Sequence, residues 1–425
     1  MKQPQSARCK SKINPLCHNP PKLITVMCLL ILTQVDTVLS ATPDMQHTGR
    51  VQALVSERTI PFNNLNYNHE GTIEVMKNGN VIALWQSSKR EGDRWGWAMS
   101  SIWDGETWSF PRPMNIAGPD RCYTPVPFQA EDGTLLAFVH NGEFPNWPTD
   151  VYHSNDNGIT WNGPHPIPAD NGETDFCTFS RPMQFPDGRI MGAMIIDDQG
   201  DVKLRTMPAN NITGPWSNNA GWNTTDLPNG EYIYLGGSIV PLSDDYQNLA
   251  HFIWKNVFGY NIYSVSNDGG NSWSGWIKSM EANHNHAIEL DPDGGPLHGY
   301  IAMATAGSNR NNISIGFARK EDLISGNSSP FTSYLKLDNR TNPAMEERTA
   351  QGIVQTPDRL VHITSNGRGA KSVQHYVVDP DILLNNTTVN KPGYITCLGA
   401  ARKVTESGSA VVSVQRVGGA QGAAS

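Results

Sequence analysis

The sequence lacks long helical patterns and clusters of positive charge. No stretch is rich in Ala, Glu, Lys and Leu in the way of a long helix, so an all-β chain is expected. The 32 Lys and Arg residues stand against 40 Asp and Glu residues, which gives a net charge of −8 without a basic run. Because phosphates are bound by clustered Lys and Arg, this composition excludes a nucleic acid partner. The chain is well supplied with Gly (39), Pro (29) and Trp (12), which indicates many turns.

The first forty residues have the features of a signal peptide. The apolar stretch Leu23–Thr33 is too short to span a bilayer comfortably, and Val38–Ser40 offers a cleavage site before Ala41. Five cations precede this stretch: Lys2, Arg8, Lys10, Lys12 and Lys22. Asp36 argues against the alternative, a signal anchor that is never cut. No later segment is long and apolar enough to cross a membrane, so we expect a secreted mature protein without a membrane span.

Cysteine is scarce and leaves the redox state open. Three of the six cysteines lie in the signal segment, and the others are Cys122, Cys177 and Cys397. A disulfide between Cys122 and Cys177 fits an oxidising compartment, and three buried thiols are the alternative. Glycosylation sequons, which agree with secretion, occur at Asn211, Asn223, Asn312, Asn327, Asn339, Asn385 and Asn386.

A short motif recurs along the chain. It reads Ser-x-Asp-x-Gly-x-Thr-Trp at Ser154–Trp161, Ser-x-Asp-x-Gly-x-Ser-Trp at Ser266–Trp273, and occurs in a shortened form at Ser101–Trp108. The Asp side chain bonds the backbone two residues on, Gly accepts a positive φ, and the Trp then packs back as an apolar plug. The motif aspartates stand at positions 104, 156 and 268, in steps of about 50 residues or twice that. Such a step is typical of a four-stranded propeller blade.

A second pattern runs in phase with the first. Residues 71–85, 123–139 and 179–195 each read as strand, Asp-Gly or Asn-Gly turn, strand, and weaker copies begin near Leu235, Ala287 and Thr349. Six hairpins at this spacing predict a six-bladed β-propeller with four-stranded blades, and seven blades are the alternative. The predicted organisation is a signal peptide at 1–40, a propeller at 41–383 and a low-complexity tail at 384–425.

These motifs resemble the Asp-box (BNR) repeats of the sialidase superfamily, over about residues 65–383. The stretches that carry the resemblance are His69–Ile73, Arg90–Asp93, Cys122–Pro125, Leu360–Ile363 and Gln374–Pro380. It implies a propeller whose Asp boxes lie at the blade periphery. It also implies a site that holds a sugar carboxylate with three arginines, a tyrosine nucleophile activated by a glutamate, and an aspartate as acid/base.

The implied site is matched in part. Asp93 fits the acid/base aspartate, Arg310 the second arginine, and Arg340 or Arg348 the third. The place of the first arginine holds Asn68–Glu70, unless Arg58 supplies it from an earlier strand. The positions expected for the glutamate and the tyrosine hold His284 and Gln351. An intact sialidase machinery is therefore not expected.

The starts of the predicted inner strands, and the loops beside them, nevertheless carry reactive side chains. The catalytic candidates are Asp93, Glu70, His69 and His286. The substrate-binding candidates are Arg310, Arg348, Arg181, Arg94, Tyr123 and Tyr234. His284 and His286 share a strand face, but no third ligand accompanies them, so neither a metal nor a cofactor is predicted.

Three functions remain open. A funnel lined by His, Arg, Tyr and carboxylates suits an acidic glycan, and Asp93 with Glu70 could form the carboxylate pair of an exo-acting, sialidase-like glycoside hydrolase. A His or Tyr could instead remove the proton beside a uronate carboxylate, which is lyase chemistry. The missing tyrosine and glutamate favour the third possibility, a non-catalytic glycan-binding propeller.

Overall fold

Asp-Gly and Asn-Gly turns fold the chain into antiparallel hairpins. In the turn after the second hairpin's first strand, Asp132 Oδ1 accepts the backbone N–H of Thr134 at 2.8 Å, and Gly133 has a φ of 92°. Asp187 Oδ1 accepts the N–H of Arg189 at 3.0 Å in the same way. Side chains that bond their own turn and residues that tolerate positive φ are what such tight connections require. The hairpins predicted from the sequence are confirmed.

The computed structural model describes most of the chain beyond residue 52. The described residues are 53–60, 67–90, 93, 95–114, 122–140, 149–166, 180–196, 201–207, 223–226, 237–255, 260–280, 283–306, 312–331, 333–339, 350–366, 372–384, 394–398 and 413–417. They fall within one compact unit, Thr48–Ser425. The predicted signal peptide lies outside them. No helix within these ranges is long and apolar enough to cross a membrane.

After a first strand, β1 (Leu54–Thr59), the first half of the described chain forms three four-stranded antiparallel sheets. Sheet 1 consists of β2 (Tyr67–Val75), β3 (Val81–Ser88), β4 (Trp97–Trp103) and β5 (Arg112–Pro113). Sheet 2 consists of β6 (Tyr123–Gln129), β7 (Leu135–His140), β8 (Thr149–Ser154) and β9 (Asn162–Pro166). Sheet 3 consists of β10 (Met183–Gln184), β11 (Ile190–Ile196), β12 (Asp201–Met207) and β13 (Asn223–Asp226).

The second half repeats the arrangement. Sheet 4 consists of β14 (Ile239–Pro241), β15 (Leu249–Lys255), β16 (Tyr260–Ser266) and β17 (Ile277–Met280). Sheet 5 consists of β18 (Asn283–Glu289), β19 (Tyr300–Ala306), β20 (Asn312–Arg319) and, after the short helix α1 (Lys320–Ile324), β21 (Ser333–Asn339). Sheet 6 contains β22 (Ala350–Gln355), β23 (Val361–Asn366) and β24 (Val373–Val378), followed by the short helix α2 (Pro380–Leu384).

The fourth strand of sheet 6 comes from the beginning of the described chain. Strand β1 pairs with β24, with Arg58 opposite His375 and Glu57 opposite Tyr376. Arg58 therefore lies in an outer strand, with its guanidinium carbon 5.1 Å from the centre of the Trp103 ring. The fold is an all-β propeller with four-stranded blades, as predicted. A further hairpin, β25 (Tyr394–Leu398) with β26 (Ser413–Val417), lies within the predicted tail.

The hydrophobic core lies between neighbouring sheets. One cluster packs Leu84 and Ala98 of sheet 1 against Leu135, Ala137 and Val139 of sheet 2. A second cluster packs sheet 1 against sheet 6 through residues that include Trp85, Trp103, Val354 and Val373. Cys122 belongs to the first cluster as a buried, free thiol, which supports the buried-thiol interpretation for this residue rather than a disulfide. Face-to-face packing of successive sheets is what the alternation of apolar residues dictates.

The Asp boxes have the structural role that the sequence predicts. Asp156 accepts hydrogen bonds from the Thr160 N–H at 2.8 Å, the Thr160 hydroxyl at 2.6 Å and the Ser154 hydroxyl at 2.7 Å. Trp161, which follows the turn, packs in the core and is 6% exposed. This box connects the third and fourth strands of its sheet, so its carboxylate serves the turn.

Candidate functional site

Three sheets meet at the beginning of β2, where the candidate residues His69 and Glu70 lie. The Glu70 backbone N–H donates to Asn366 Oδ1 of sheet 6 at 2.9 Å. The Glu70 carboxylate reaches sheet 2, where its Oε2 atom accepts the Thr124 N–H at 3.0 Å and also the Thr124 hydroxyl. Asn68, one residue before this pair, accepts the indole N–H of Trp85 at 3.0 Å. The start of the strand is therefore fixed from both sides.

The backbone at this end of the inner strands is strained in a repeated way. Glu70 of β2, Thr124 of β6 and His284 of β18 have φ values of 56°, 31° and 48°, and each lies at an irregularity in strand pairing. Positive φ is unfavourable for residues with a Cβ atom, and bulges of this kind re-aim side chains near binding sites. The strain thus marks this end of the ring as the candidate site.

The Glu70 carboxyl is partly buried, with 16% of its side chain exposed, yet its pKa is lowered. Burial alone would raise the pKa. The hydrogen bonds from His69 and Thr124, with the electrostatic influence of His69 and His140, outweigh burial and lower the pKa. The His69 Nδ1 atom lies 3.5 Å from Glu70 Oε1. Glu70 is therefore a carboxylate at neutral pH, held at both oxygen atoms.

His69 is oriented by stacking. Its ring lies 5.1 Å, centroid to centroid, from the ring of Tyr67, with the two planes 20° apart. The side chain is 9% exposed. Packed against Tyr67 on one side, the imidazole keeps its Nδ1 atom towards Glu70, so the two sequence-predicted catalytic candidates form one unit.

His286 of β18 is buried near the same end. Its Nδ1 atom lies 3.4 Å from the Ser180 hydroxyl, and burial lowers its pKa to about 4, although the negative charge of Glu70 opposes this. The imidazole is therefore neutral at neutral pH. It lines a cavity of about 10 Å³ together with Thr72 and Ser238. That volume suits about one water molecule.

Asp93 lies on the loop between β3 and β4 and is half-buried. Its Oδ1 atom accepts the Trp95 N–H at 3.1 Å, and its own N–H donates to the Arg90 carbonyl at 3.3 Å. The aspartate thus shapes the loop that carries it. A carboxylate oxygen used in this way is compatible with a catalytic role for the other oxygen.

Arg181 contacts an acidic side chain of β2 other than Glu70. Its Nε atom contacts Glu74, four residues further along β2, and its guanidinium carbon lies 5.2 Å from the centre of the Phe128 ring. Burial raises the pKa of Glu74, against the opposing charge and hydrogen bond of Arg181. The ion pair borders a cavity of about 530 Å³ at the opposite ends of the inner strands. The Arg181 side chain is 41% exposed and also lines the small cavity beside His286, so its role in substrate binding stays a prediction.

Of the remaining predicted site residues, only Tyr123 lies within the described ranges. Tyr123 is half-buried at the start of β6, opposite His140. Arg94, Tyr234, Arg310 and Arg348 lie outside the described residues. Sequence reasoning did not single out Thr124, Ser180 or Asn366, the small polar residues that hold Glu70 and His286. Their positions at strand ends beside the predicted candidates were the available signal.

Within the described ranges, one group of side chains has the geometry to hold a metal ion, and it lies away from Glu70. It consists of Asp244, Glu289 and His298, with the His298 Nε2 atom 2.9 Å from Asp244 Oδ1. The ammonium of Lys320 contacts Glu289 and already neutralises that carboxylate. His284 and His286 are not part of this group.

The comparisons with known proteins agree with this architecture. The profile of the BNR repeat-like domain family matches residues 79–337, so the chain belongs to this family. No curated protein matches the sequence. The structure is similar to those of several solved propellers, including sialidases, and it thereby has the sialidase-like, glycoside-hydrolase-like propeller fold.

Three of these structures show the range of the fold. A protein of unknown function from Dyadobacter fermentans is 15% identical, with a TM-score of 0.62, over 77% of this chain and 98% of the other. A Hadza microbial sialidase, Hz136, is 12% identical, with a TM-score of 0.60, over 77% and 69%. An α-L-arabinanase from Penicillium chrysogenum, complexed with arabinobiose, is 14% identical, with a TM-score of 0.55, over 78% and 99%.

Proposed function

We propose that this protein is an exo-acting glycoside hydrolase of the sialidase-like type that acts on acidic glycans. The observation that carries the proposal is the Glu70 carboxylate, which is kept ionised by His69 and Thr124 on a strained strand start. Glycoside hydrolysis needs one ionised carboxylate as nucleophile or base and one acid for the leaving oxygen. Glu70 takes the first role and Asp93, on the adjacent loop, the second.

The proposal of an acidic substrate is based on the cations near this end of the ring. Lys89 and Arg90 are exposed on the Asp93 loop. Arg94, Arg310 and Arg348 are the further cations predicted to bind a carboxylate. Arginine binds carboxylates in two-point fashion, which suits a sialic acid or a uronic acid.

The decisive experiment is a release assay with the purified protein. The substrates are a fluorogenic sialoside, a panel of acidic polysaccharides and arabinan. Glu70→Gln retains the size and one acceptor oxygen but removes the charge, so we expect kcat to fall by roughly 100-fold or more while the Tm changes little. Asp93→Asn is expected to lower kcat as well. Glu131→Gln, an exposed glutamate next to a hairpin turn, is the matched control.

Full activity in Glu70→Gln would contradict the assignment of Glu70. Release of arabinose without release of an acidic sugar would keep the hydrolase and overturn the acidic substrate. Binding of glycans without release of any sugar would indicate a non-catalytic, glycan-binding propeller.

A uronate lyase is the second candidate, and His286 favours it. An imidazole that stays neutral at neutral pH is able to accept the proton beside a carboxylate. The same assay detects this reaction through the absorbance of an unsaturated uronate. If this absorbance appears without free acidic sugar and is lost in His286→Gln, the protein is a lyase and the hydrolase assignment is wrong.

Two finer features belong to the same proposal. We propose that the six four-stranded sheets are the six blades of one closed ring, which the pairing of β1 with β24 supports. We also propose that residues 1–40 direct secretion and that the mature protein acts on extracellular glycans as a glycoprotein. Expression with and without residues 1–40, followed by assay of the medium and treatment with a glycosidase specific for N-linked glycans, tests this.

A further inference from the structure

Two neighbouring tryptophans on the Asp93 loop are unusually exposed. Trp95 is 58% exposed and Trp97 is 40% exposed, whereas Trp85, Trp103, Trp108 and Trp161 are all at most 8% exposed. The four buried tryptophans fill the space between strands, as large aromatic side chains commonly do. Two exposed indoles within three residues therefore indicate a binding surface.

The described residues around these indoles make specific contacts. The Trp95 N–H donates to Asp93 Oδ1 at 3.1 Å. Trp97 is the first residue of β4 and pairs with Ser87 of β3. Between them, Gly96 packs so tightly that a Cβ atom there would lie 3.2 Å from the backbone nitrogen of Cys122. The indoles are thus presented by a segment whose backbone is fixed on both sides.

The same contacts connect the indoles to the candidate site. Cys122, against which Gly96 packs, precedes β6 by one residue, and Thr124 of β6 donates two hydrogen bonds to Glu70. Asp93, the proposed acid, directly bonds Trp95. The exposed indoles therefore lie on the side of the ring where the inner strands begin, beside Asp93 and connected to Glu70 through Gly96, Cys122 and Thr124.

The chemistry of the surface fits a sugar chain. A sugar ring has an apolar face of C–H groups and polar edges, which matches the flat ring and single N–H donor of indole. Lys89 and Arg90, exposed on the same loop, add positive charge for an acidic glycan. A protein partner needs a larger apolar area. The other exposed large apolar side chains in the described ranges lie on other elements: Val55, Phe110, Ile159 and Ile324.

We propose that Trp95 and Trp97 form a stacking platform for the sugar units that follow the terminal unit of an acidic glycan, and so make the enzyme selective for oligosaccharides over single sugars. The proposal rests on the proposed function, because it takes the terminal unit to be held at Glu70. The platform positions substrate and takes no part in bond cleavage.

The test compares Trp95→Ala and Trp97→Ala with the wild type on two substrates. One is an acidic oligosaccharide and the other is the methyl glycoside of the sugar that is released, which has no further units to stack. We expect kcat/KM for the oligosaccharide to fall roughly fivefold or more in each variant, since truncating a tryptophan at a binding surface commonly has this effect. We expect kcat/KM for the methyl glycoside to stay within about twofold. Phe110→Ala, at a position 77% exposed, is the matched control.

The outcomes separate the platform from the hydrolase. Unchanged kcat/KM for the oligosaccharide in both tryptophan variants would overturn the platform, while loss of release in Glu70→Gln would still support the hydrolase. If the wild type binds oligosaccharides without cleaving them, the same variants are compared by calorimetric affinity, and weaker binding supports the platform although the hydrolase fails. Equal loss on both substrates, or no glycan binding by the wild type, would overturn the platform.

Discussion

Gln184 joins sheet 3 to sheet 2 by accepting the backbone N–H of Glu131 at 2.9 Å. Its Nε2 atom also donates to the carbonyl of Gly188 in its own turn, at 3.0 Å. Gln129 and Gln355, each the last residue of its inner strand, make the same two kinds of bond. One glutamine thus ties its own turn to the turn of the preceding sheet at three places.

The first prediction concerns this connection. Gln184→Ala leaves the N–H of Glu131 and the carbonyl of Gly188 without their side-chain partner, so we expect the free energy of unfolding to fall by about 1–3 kcal/mol. The Tm in a thermal melt should fall by several degrees. Gln247→Ala, at an exposed position, is the control. An equal Tm in the two variants would show that the connection contributes nothing measurable.

The second prediction concerns Thr124 as a positioning residue. Thr124→Ala removes the hydroxyl that bonds Glu70, so the pKa of Glu70 should rise. The ionised Glu70 is needed for the proposed reaction, so the acid limb of the kcat/KM profile should move to higher pH. The value of kcat/KM near that limb should fall roughly tenfold.

The conservative variant is the control for Thr124. Thr124→Ser keeps the hydroxyl and should restore the wild-type pH profile. A role limited to stability would lower the Tm of Thr124→Ala and leave its pH profile in place.

The third prediction separates the Asp boxes from the chemistry. Asp268 accepts bonds from the Ser272 N–H at 2.8 Å and the Ser272 hydroxyl at 2.6 Å, which lower its pKa. Asp268→Ala should cost about 1 kcal/mol of stability, as the loss of a comparable capping bond does, and leave kcat unchanged. Thermal melts and the release assay measure both, with the exposed Asp293→Ala as the control. A fall in kcat with an unchanged Tm would disprove a structural role.

The fourth prediction concerns pH. The Trp108 indole donates to His375 Nδ1 at 3.3 Å, so the proton of His375 sits on Nε2 and is donated to His362 Nδ1 at 2.9 Å. Burial lowers the pKa of His362 to about 4 and that of His375 well below its ordinary value. Both rings are therefore neutral in the folded protein.

The sign of the pH effect follows from those depressed values. Unfolded histidines take up protons near pH 6.5, so the stability that this pair contributes is present above pH 6.5 and is lost as the pH falls towards about 4. Between pH 7 and pH 4.5, the free energy of unfolding should fall less in His362→Gln than in the wild type. The difference should be up to about 1.4 kcal/mol per pH unit. His298→Gln, at a half-buried histidine that lies against Asp244, is the comparison variant. An unchanged pH slope in His362→Gln would contradict the interpretation.

Local chemistry made much of the fold predictable from the sequence. Tight turns depend on a few consecutive residues, so the sequence predicts them. Examples are the turns at Asp132–Gly133 and Asp187–Gly188 and the boxes around Asp156 and Asp268. An early strand around Arg58 was foreseen, but its pairing with β24 was not, because that pairing depends on residues at the other end of the described chain. No turn motif marks such a long-range partner.

The candidate site was predictable in its residues more than in its geometry. His69, Glu70 and His286 were singled out by type and position. The positive φ of Glu70 and Thr124 was not, because neither is a glycine and pairing irregularities leave little trace in a pattern. The contact that Arg181 makes was not foreseen either. Its place at a strand start was foreseen, but a long side chain is able to reach a distant carboxylate, here Glu74.

The pairing of Arg58 with His375 has a consequence for synthesis of the chain. A ribosome releases β1 first, and this strand has no partner until β24 has emerged. Loop closure over so much chain is slow, and an unpaired edge strand is prone to associate with other chains. Pairing of β1 with β24 therefore covers a strand edge that synthesis leaves open, and removal of β1 would expose the edge of β24, whereas removal of β24 would expose the edge of β23.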